Sequence, residues 1–147
     1  MLSKDGGIRT IMDNCIFCKI VNGEIGSKTV YEDEYFKAIM DISPSAMGHV
    51  IILSKNHAED IFEMTEEDLS RGLIVARKVA RAVKDATGCD GVNILQNNGK
   101  AANQTVFHYH IHVIPRFNDD TIKIKWEPLT VDMDEISVMA EKIREHI

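Results

Sequence analysis

The sequence predicts an α+β fold with a five-stranded antiparallel sheet, one long helix and a C-terminal helix. Five short β-prone runs are separated by turn residues, and only one long stretch has helical periodicity. A parallel sheet would need a crossover helix between successive strands, and the chain offers too few helical segments for that arrangement. These observations favour an antiparallel sheet joined by hairpin-type links.

The five predicted strands follow one another along most of the chain. Residues 29–32 and 35–40 flank the dipeptide Asp33-Glu34 and predict a hairpin. Residues 48–53 and 91–95 predict two further strands. The fifth strand is predicted from residue 108 onward, where apolar residues and histidines alternate.

The long helix is predicted from apolar residues that recur at spacings of three and four. Thr65 begins a sequence resembling a capping box, and Gly88 is a natural stop signal. The residues predicted to face the core are Leu69, Leu73, Ala76, Val79, Ala80 and Val83.

Two shorter helices are also predicted. Asn14 is a candidate N-cap for a short helix that carries Cys15 and Cys18. Residues 131–147 predict a C-terminal helix that is capped by Asp132 or Asp134.

Composition predicts one domain over residues 14–147, preceded by a mobile tail at residues 1–13. The net charge of −6 argues against nucleic acid as a partner, because a nucleic-acid-binding surface should be basic. No apolar run approaches the length of a membrane span, so no membrane partner is expected. Three cysteines do not suggest a secreted disulfide framework, and the cytoplasm is the expected location.

The predicted fifth strand carries three histidines on one face, because strand side chains alternate with a period of two. Those histidines are His108, His110 and His112. The opposite face carries Phe107, Tyr109, Ile111 and Val113, which are suited to a core. Sheet stability does not require such a row of imidazoles, so the pattern indicates chemistry.

Two kinds of chemistry fit the row. Neighbouring histidines on one face are about 6.6 Å apart and the outer pair about 13 Å. Because metal–nitrogen bonds are about 2 Å long, two neighbours could share an ion but all three hardly could. Nucleophilic catalysis fits a linear row better, since one imidazole can attack phosphorus while its neighbours bind oxygens or move protons.

Two other segments add candidate site residues. The polar loop before the histidine strand offers uncharged donors suited to phosphate oxygens, in Asn97, Asn98, Gln104 and Thr105. The spacing Cys15-x-x-Cys18 fits half of a zinc site, a redox pair or two buried thiols, because a closed structural zinc site needs four ligands.

The stretch from His108 to Ile114 resembles the signature of the histidine triad (HIT) superfamily, in particular its bacterial Hint-like nucleotide-binding branch. The resemblance covers residues 14–117, with residues 118–147 as a C-terminal segment of the same domain. The other matching motifs are Cys15-Ile16-Phe17-Cys18-Lys19-Ile20, Met40-Asp41-Ile42-Ser43-Pro44, Gly48-His49-Val50, Lys55-Asn56-His57, Asn97-Asn98-Gly99 and Gln104-Thr105-Val106-Phe107.

The resemblance implies a HIT-like fold and hydrolysis at the α-phosphorus of AMP derivatives, typically phosphoramidates, through a nucleotidyl-histidine. His110 matches the nucleophile, His112 matches a residue that contacts the phosphate, and His108 and His49 match supporting histidines. The implied nucleotide-binding residues, besides His110 and His112, are Ile16, Phe17, Ile20, Ile39 and Ile42 for the base, Asp41 for the ribose, and Asn97, Gln104 and Thr105 near the phosphate.

The resemblance also implies a structural zinc ion and a homodimer. In some bacterial members, residues matching Cys15, Cys18, His57 and His108 bind zinc. Family members dimerise through the long helix and a neighbouring strand, and Trp126 matches a tryptophan that reaches the partner's site.

One departure bears on specificity. Asn103-Gln104-Thr105 stands where the family usually has Gly-Gln-Ser, and Asn103 tolerates the positive φ that a glycine would adopt there. The alternatives are a dinucleoside polyphosphate hydrolase or nucleotidyl transferase, a non-catalytic nucleotide-binding adaptor, and a protein whose histidines only bind zinc.

Overall fold

A computed structural model describes residues 14–147, so the predicted tail at residues 1–13 lies outside the described part of the chain. The described residues form a five-stranded sheet with strand order β1-β2-β3-β5-β4, and each neighbouring pair is antiparallel. The predicted α+β class, the hairpin and the five-stranded sheet are therefore confirmed. The strands are β1 (Thr29–Glu32), β2 (Phe36–Met40), β3 (Val50–Ser54), β4 (Gly91–Leu95) and β5 (His110–Arg116).

The two faces of the sheet bury different residues, because alternate side chains of each strand point to opposite faces. One face packs against the long helix through Ala38, Ile52 and Ile111, which lie side by side across three strands. The other face carries His110 and His112 together with a second apolar cluster. The buried members of that cluster are Phe17, Ile20, Ile39, Ile51 and Leu53.

The long helix α2 (Glu66–Thr87) begins and ends where the sequence predicts. The Thr65 side chain accepts a hydrogen bond from the backbone N–H of Asp68 at 3.1 Å, and Gly88 adopts a left-handed conformation with φ 66°. The predicted core face was wrong at Leu73, which is exposed. The helix buries Val75 instead, because the buried stripe runs through Val75, Ala76, Val79 and Val83.

The short helix α1 (Ile16–Val21) has Cys15 as its N-cap, so the predicted Asn14 cap was wrong. The Cys15 thiol sulfur accepts a hydrogen bond from the backbone N–H of Cys18 at 3.4 Å. The C-terminal helix α3 (Met133–Arg144) is capped by Asp132, one of the two predicted candidates. Within the described residues, no helix has both the length and the apolar composition that a membrane-spanning helix requires.

Strand β5 begins later than the sequence predicts, at His110. The backbone N–H of Tyr109 donates to the carbonyl of Ala58 at 2.7 Å. Tyr109 therefore hydrogen-bonds to a loop residue, and the regular pairing of β5 with its neighbouring strands begins one residue later. His108 therefore precedes the strand, and Phe107 is exposed rather than part of the core face. The predicted face of three strand histidines thus reduces to His110 and His112, with His108 placed just before them.

Gly48, immediately before His49, has φ 101°, and a Cβ atom there would lie 2.7 Å from Thr87 Cγ2. We expect Gly48→Ala to lower the free energy of unfolding by about 2–4 kcal/mol, because it adds backbone strain and overpacking. Urea denaturation of the variant and the wild type measures this difference.

Two glycines supply controls for the Gly48 substitution. Gly23→Ala has the positive φ without the steric clash, and Gly26→Ala has neither. A loss no larger than that of Gly23→Ala would contradict the proposed contact with Thr87.

Candidate active site and metal centre

Six rings lie in a continuous row across the face of the sheet opposite α2. The ring centroids are 5.1 Å apart for His49 and His112, 4.9 Å for His112 and His110, and 5.1 Å for His110 and Phe17. The row continues from Phe17 to His108 at 5.9 Å and from His108 to His57 at 5.1 Å. The structure therefore brings all five predicted site histidines into one assembly.

Backbone carbonyls fix the tautomers of His108 and His110, because a carbonyl oxygen only accepts hydrogen bonds. His108 Nε2 lies 2.8 Å from the carbonyl oxygen of Ser54, so this nitrogen carries the proton. His110 Nδ1 lies 2.6 Å from the carbonyl oxygen of His108 and carries the proton of that ring. In the neutral rings, His108 Nδ1 and His110 Nε2 therefore have free lone pairs.

A backbone N–H fixes the other two tautomers in the same way. The N–H of Ser45 donates to His49 Nδ1 at 3.1 Å, so the neutral ring of His49 carries its proton on Nε2. That nitrogen lies 2.9 Å from His112 Nδ1 and donates to it. His112 consequently carries its proton on Nε2. His110 thus has a lone pair on Nε2, whereas the neighbouring His112 has an N–H on Nε2.

Burial keeps these imidazoles neutral. It lowers the pKa of His108 and His112 to about 4, with neighbouring histidines acting in the same direction. Burial also lowers the pKa of His110 and His49, although Asp41 opposes the shift at both. At neutral pH the tautomers assigned above are therefore the relevant forms of the site.

Cys15, Cys18, His57 and His108 point their ligand atoms at one another, all within 4.8 Å. Sγ of Cys18 lies 3.2 Å from His57 Nδ1 and 3.5 Å from His108 Nδ1, and the two Nδ1 atoms are 3.2 Å apart. Zinc bonds of about 2.0–2.3 Å in a tetrahedron require ligand separations of about 3.3–3.8 Å. The spacing of the cluster therefore fits a Cys₂His₂ zinc site.

The protonation and contacts of the cluster agree with a metal-ligating role. The lone pair of His108 Nδ1 faces the thiols, while its Nε2–H is held by a carbonyl, which is the usual outer partner of a ligating histidine. His57 Nε2 is buried without a hydrogen-bond partner among the described residues, so Nδ1 makes the hydrogen-bonding contacts of this ring. Burial raises the pKa of Cys18 to about 12, an unfavourable setting for a thiolate unless a cation is beside it.

Asp41 lies beside His49 at the other end of the row. Its Oδ1 accepts a hydrogen bond from the backbone N–H of Ser43 at 2.8 Å, and its Oδ2 lies 3.5 Å from His49 Nδ1. The backbone N–H of Asp41 also donates to the His49 carbonyl at 3.0 Å. The two backbone hydrogen bonds hold Asp41 in place at the edge of the site.

The predicted base-binding residues divide into two groups. Phe17, Ile20 and Ile39 are buried in the cluster beside the histidines, whereas Ile16 is half exposed and Ile42 is 96% exposed. Ile42 therefore takes no part in the core and can only contact a ligand as a rim residue. The sequence pattern did not separate these two groups because all five side chains are apolar.

The polar loop differs from expectation at Gln104. This side chain is buried, accepts a hydrogen bond from the backbone N–H of Gly99 at 2.7 Å and donates to the carbonyl of Glu59 at 2.6 Å. Its donors thus brace the loop rather than face a ligand. Asn103 has φ 64°, so it adopts the predicted positive φ, and Thr105 lines an open pocket of about 510 Å³. Asn97 is partly buried.

Two backbone groups that set the geometry of the site could not be predicted from the sequence. The carbonyl of Ser54 and the N–H of Ser45 set tautomers through the backbone, so their side-chain identity carries no signal. Phe17 was assigned to the base pocket, and its edge-on packing against two histidines is visible only in the fold.

Comparison with known proteins identifies the class that this fold and site define. Residues 22–119 match the HIT domain family, and the chain belongs to that family. The adenosine 5'-monophosphoramidase hnt1 of Schizosaccharomyces pombe is 35% identical over 135 residues, which cover 91% of this chain and 98% of the relative.

Two solved structures share the fold over most of their length. A HIT family protein from Bacillus anthracis has a TM-score of 0.86 and 40% identity, covering 92% of this chain and 98% of that one. A Zn-bound histidine triad family protein from Mycobacterium smegmatis has a TM-score of 0.73 and 35% identity, covering 92% and 99%.

Proposed function

We propose that this protein hydrolyses phosphoramidates of AMP and related purine nucleotides at the α-phosphorus. The observation that carries the proposal is the tautomer pattern of two adjacent rings. His110 offers a lone pair on Nε2 and His112 offers an N–H on Nε2, with ring centroids 4.9 Å apart. The similarity to an adenosine 5'-monophosphoramidase supports the same activity.

In the proposed mechanism, His110 Nε2 attacks the α-phosphorus and the bond from phosphorus to the amine nitrogen breaks. The lone pair of His110 forms the new N–P bond, His112 Nε2–H donates a hydrogen bond to a phosphate oxygen, and the departing amine takes its proton from a water molecule. The His110 ring becomes positively charged when the N–P bond forms, and its Nδ1–H hydrogen bond to the His108 carbonyl stabilises this charge. Water then cleaves the nucleotidyl-histidine and releases AMP.

The nucleotide is proposed to lie along the row of rings. Asp41 accepts the ribose hydroxyls, and the base packs on Phe17, Ile20 and Ile39, with Ile16 and Ile42 at the rim. Asn97 and Thr105 donate to phosphate oxygens together with His112. Gln104 holds the loop that carries Thr105, and His49 holds the tautomer of His112.

We expect His110→Ala to lower the turnover of an adenosine phosphoramidate by at least about 10³-fold, because the attacking group is removed. AMP affinity should stay within roughly threefold, since ground-state contacts remain. Quantified release of AMP and calorimetric titration with AMP measure the two effects. His146→Ala is the matched control, because His146 is exposed and outside the row.

Other results would point to the other function classes. Hydrolysis of dinucleoside polyphosphates but not of phosphoramidates would mean that the protein is a dinucleoside polyphosphate hydrolase. AMP binding without turnover of either substrate by the wild type would favour a nucleotide-binding adaptor. Loss of zinc in His110→Ala would mean that the row serves metal binding.

We also propose that zinc occupies the Cys15, Cys18, His57 and His108 cluster. The ligand separations carry this proposal, and a Zn-bound structural relative supports it. Zinc there would supply a structural cross-link between α1 and the start of β5. Thiolate ligands require a reducing compartment, which agrees with the cytoplasmic location that we propose.

We expect Cys18→Ala to lose most of the zinc that the wild type binds, at about one ion per chain. Cys89→Ala should keep its zinc, because Cys89 is buried elsewhere and is absent from the cluster. Elemental analysis of the purified proteins by mass spectrometry measures the stoichiometry. Equal zinc contents in the two variants would contradict the assignment.

The chain is further proposed to form a homodimer through α2 and the edge strand β4. Leu73 and Ile74 of the helix are exposed, and so is Ile94 of the strand. Ile94 pairs with Val113, whose side chain faces the helix layer, so all three residues lie on the same side of the sheet. Trp126 is also exposed and is available to the partner's site.

We expect Leu73→Asp combined with Ile94→Asp to halve the molar mass in light scattering, because carboxylates would be buried without partners. Val30→Asp is the control, since Val30 is an exposed apolar residue on the opposite edge strand β1. A monomeric wild type, or a dimeric double variant with normal secondary structure, would contradict this interface.

A further inference from the structure

The proposed metal centre and the proposed nucleophile are joined by two contacts. The first is the backbone of His108, whose carbonyl accepts the Nδ1–H of His110 at 2.6 Å. The second is the ring of Phe17, which contacts both imidazoles edge-on. Its centroid is 5.1 Å from that of His110 at an interplanar angle of 76°, and 5.9 Å from that of His108 at 88°.

The hydrogen bond alone does not fix the ring of His110. A single bond at Nδ1 leaves the imidazole able to tilt about the Nδ1–carbonyl direction, which would move Nε2. The rings of Phe17 and His112 both contact the His110 ring nearly perpendicularly, at interplanar angles of 76° and 74°. The position of Phe17 therefore helps to set the direction in which Nε2 points.

The position of Phe17 depends in turn on the Cys₂His₂ cluster. Phe17 lies between Cys15, the N-cap of α1, and Cys18, so all three residues belong to the first turn of a helix of only six residues. So short a helix has little stability of its own. An ion held by both cysteines would fix this turn to His57 and His108, and with it the ring of Phe17.

We propose that Phe17 is a positioning residue that couples metal occupancy of the Cys₂His₂ cluster to the orientation of the His110 ring. This inference rests on the proposed zinc site and deepens the proposed function. Metal loss then lowers turnover by displacing the nucleophile, not by unfolding the sheet, whose core on the α2 face is independent of the cluster. Small displacements of a reacting group cost up to about 10²-fold in rate.

The first test observes the rings directly. Two-dimensional ¹H–¹⁵N spectra of the histidine rings are recorded for the zinc-loaded wild type and after chelation, with circular dichroism as the check on folding. We expect the His110 ring signals to shift on chelation in a protein that keeps its strand content. Unchanged His110 signals would overturn the proposal, whether or not the protein hydrolyses phosphoramidates.

The second test uses Phe17→Leu, which keeps an apolar side chain but removes the ring edge. Val21→Ala is the matched control, because Val21 packs against the same cluster at the other end of α1. In the wild type and Val21→Ala, chelation should shift the His110 signals strongly. In Phe17→Leu, the loaded protein should already have displaced signals, and chelation should add less than roughly half the wild-type change.

Turnover supplies the kinetic counterpart. Chelation should lower kcat of the wild type by about 10-fold or more, with KM changed by less than roughly threefold. Phe17→Leu should show a similar loss of kcat when loaded and less than a threefold further loss on chelation, as expected for coupled changes. Fully multiplicative losses would overturn the coupling. Absence of turnover in every protein would contradict the proposed function, while the ring signals would still decide the coupling.

Discussion

The hydrogen bonding of the fully buried His108 is the constraint on which the rest of the site depends. A buried imidazole must be neutral and must place its single proton on one nitrogen. The carbonyl of Ser54 accepts a hydrogen bond from His108 Nε2–H, which leaves the Nδ1 lone pair facing the cysteines and His57. The carbonyl of His108 in turn accepts a hydrogen bond from His110 Nδ1–H. His108 is thereby both a member of the proposed metal-ligand set and the residue that orients the lone pair of the proposed nucleophile.

The two faces of the antiparallel sheet have different roles: one packs against α2 and stabilises the fold, and the other carries the candidate site. Ala38, Ile52 and Ile111 pack under α2 and need nothing from the site. The opposite face buries His110 and His112. These residues contribute less to stability than apolar residues would, because the buried ring nitrogens need hydrogen-bond partners. The core under the long helix therefore offsets the free energy lost by burying polar side chains on the other face. Changes in α1, which positions residues of the site, need not unfold the sheet.

The local pattern of apolar and polar residues predicted the sheet and the common face of His110 and His112 through its strand period, and the long helix through its helical period. It could not predict that His108 precedes the strand, since that follows from Tyr109 bonding to the carbonyl of Ala58 in a distant loop. The exposure of Leu73 and Ile42 was likewise invisible, because hydrophobicity does not say which apolar residues face the core and which face solvent or a partner. The sequence also could not predict the hydrogen bonds of Gln104 to Gly99 and Glu59, because the same polar residue can contact a ligand or stabilise a loop.

The absence of charged side chains among the proposed phosphate-binding residues affects how tightly the proposed product would bind. The side chains assigned to the phosphate, Asn97, Thr105 and His112, are uncharged, and the chain as a whole carries a net charge of −6. Neutral donors hold a phosphate dianion less tightly than lysine or arginine would, so the AMP formed in the proposed reaction would be released readily. The same donors become more effective as negative charge develops on the phosphate oxygens in the transition state. If these side chains bind the phosphate as proposed, their neutrality would favour turnover over product retention, as the proposed hydrolase requires.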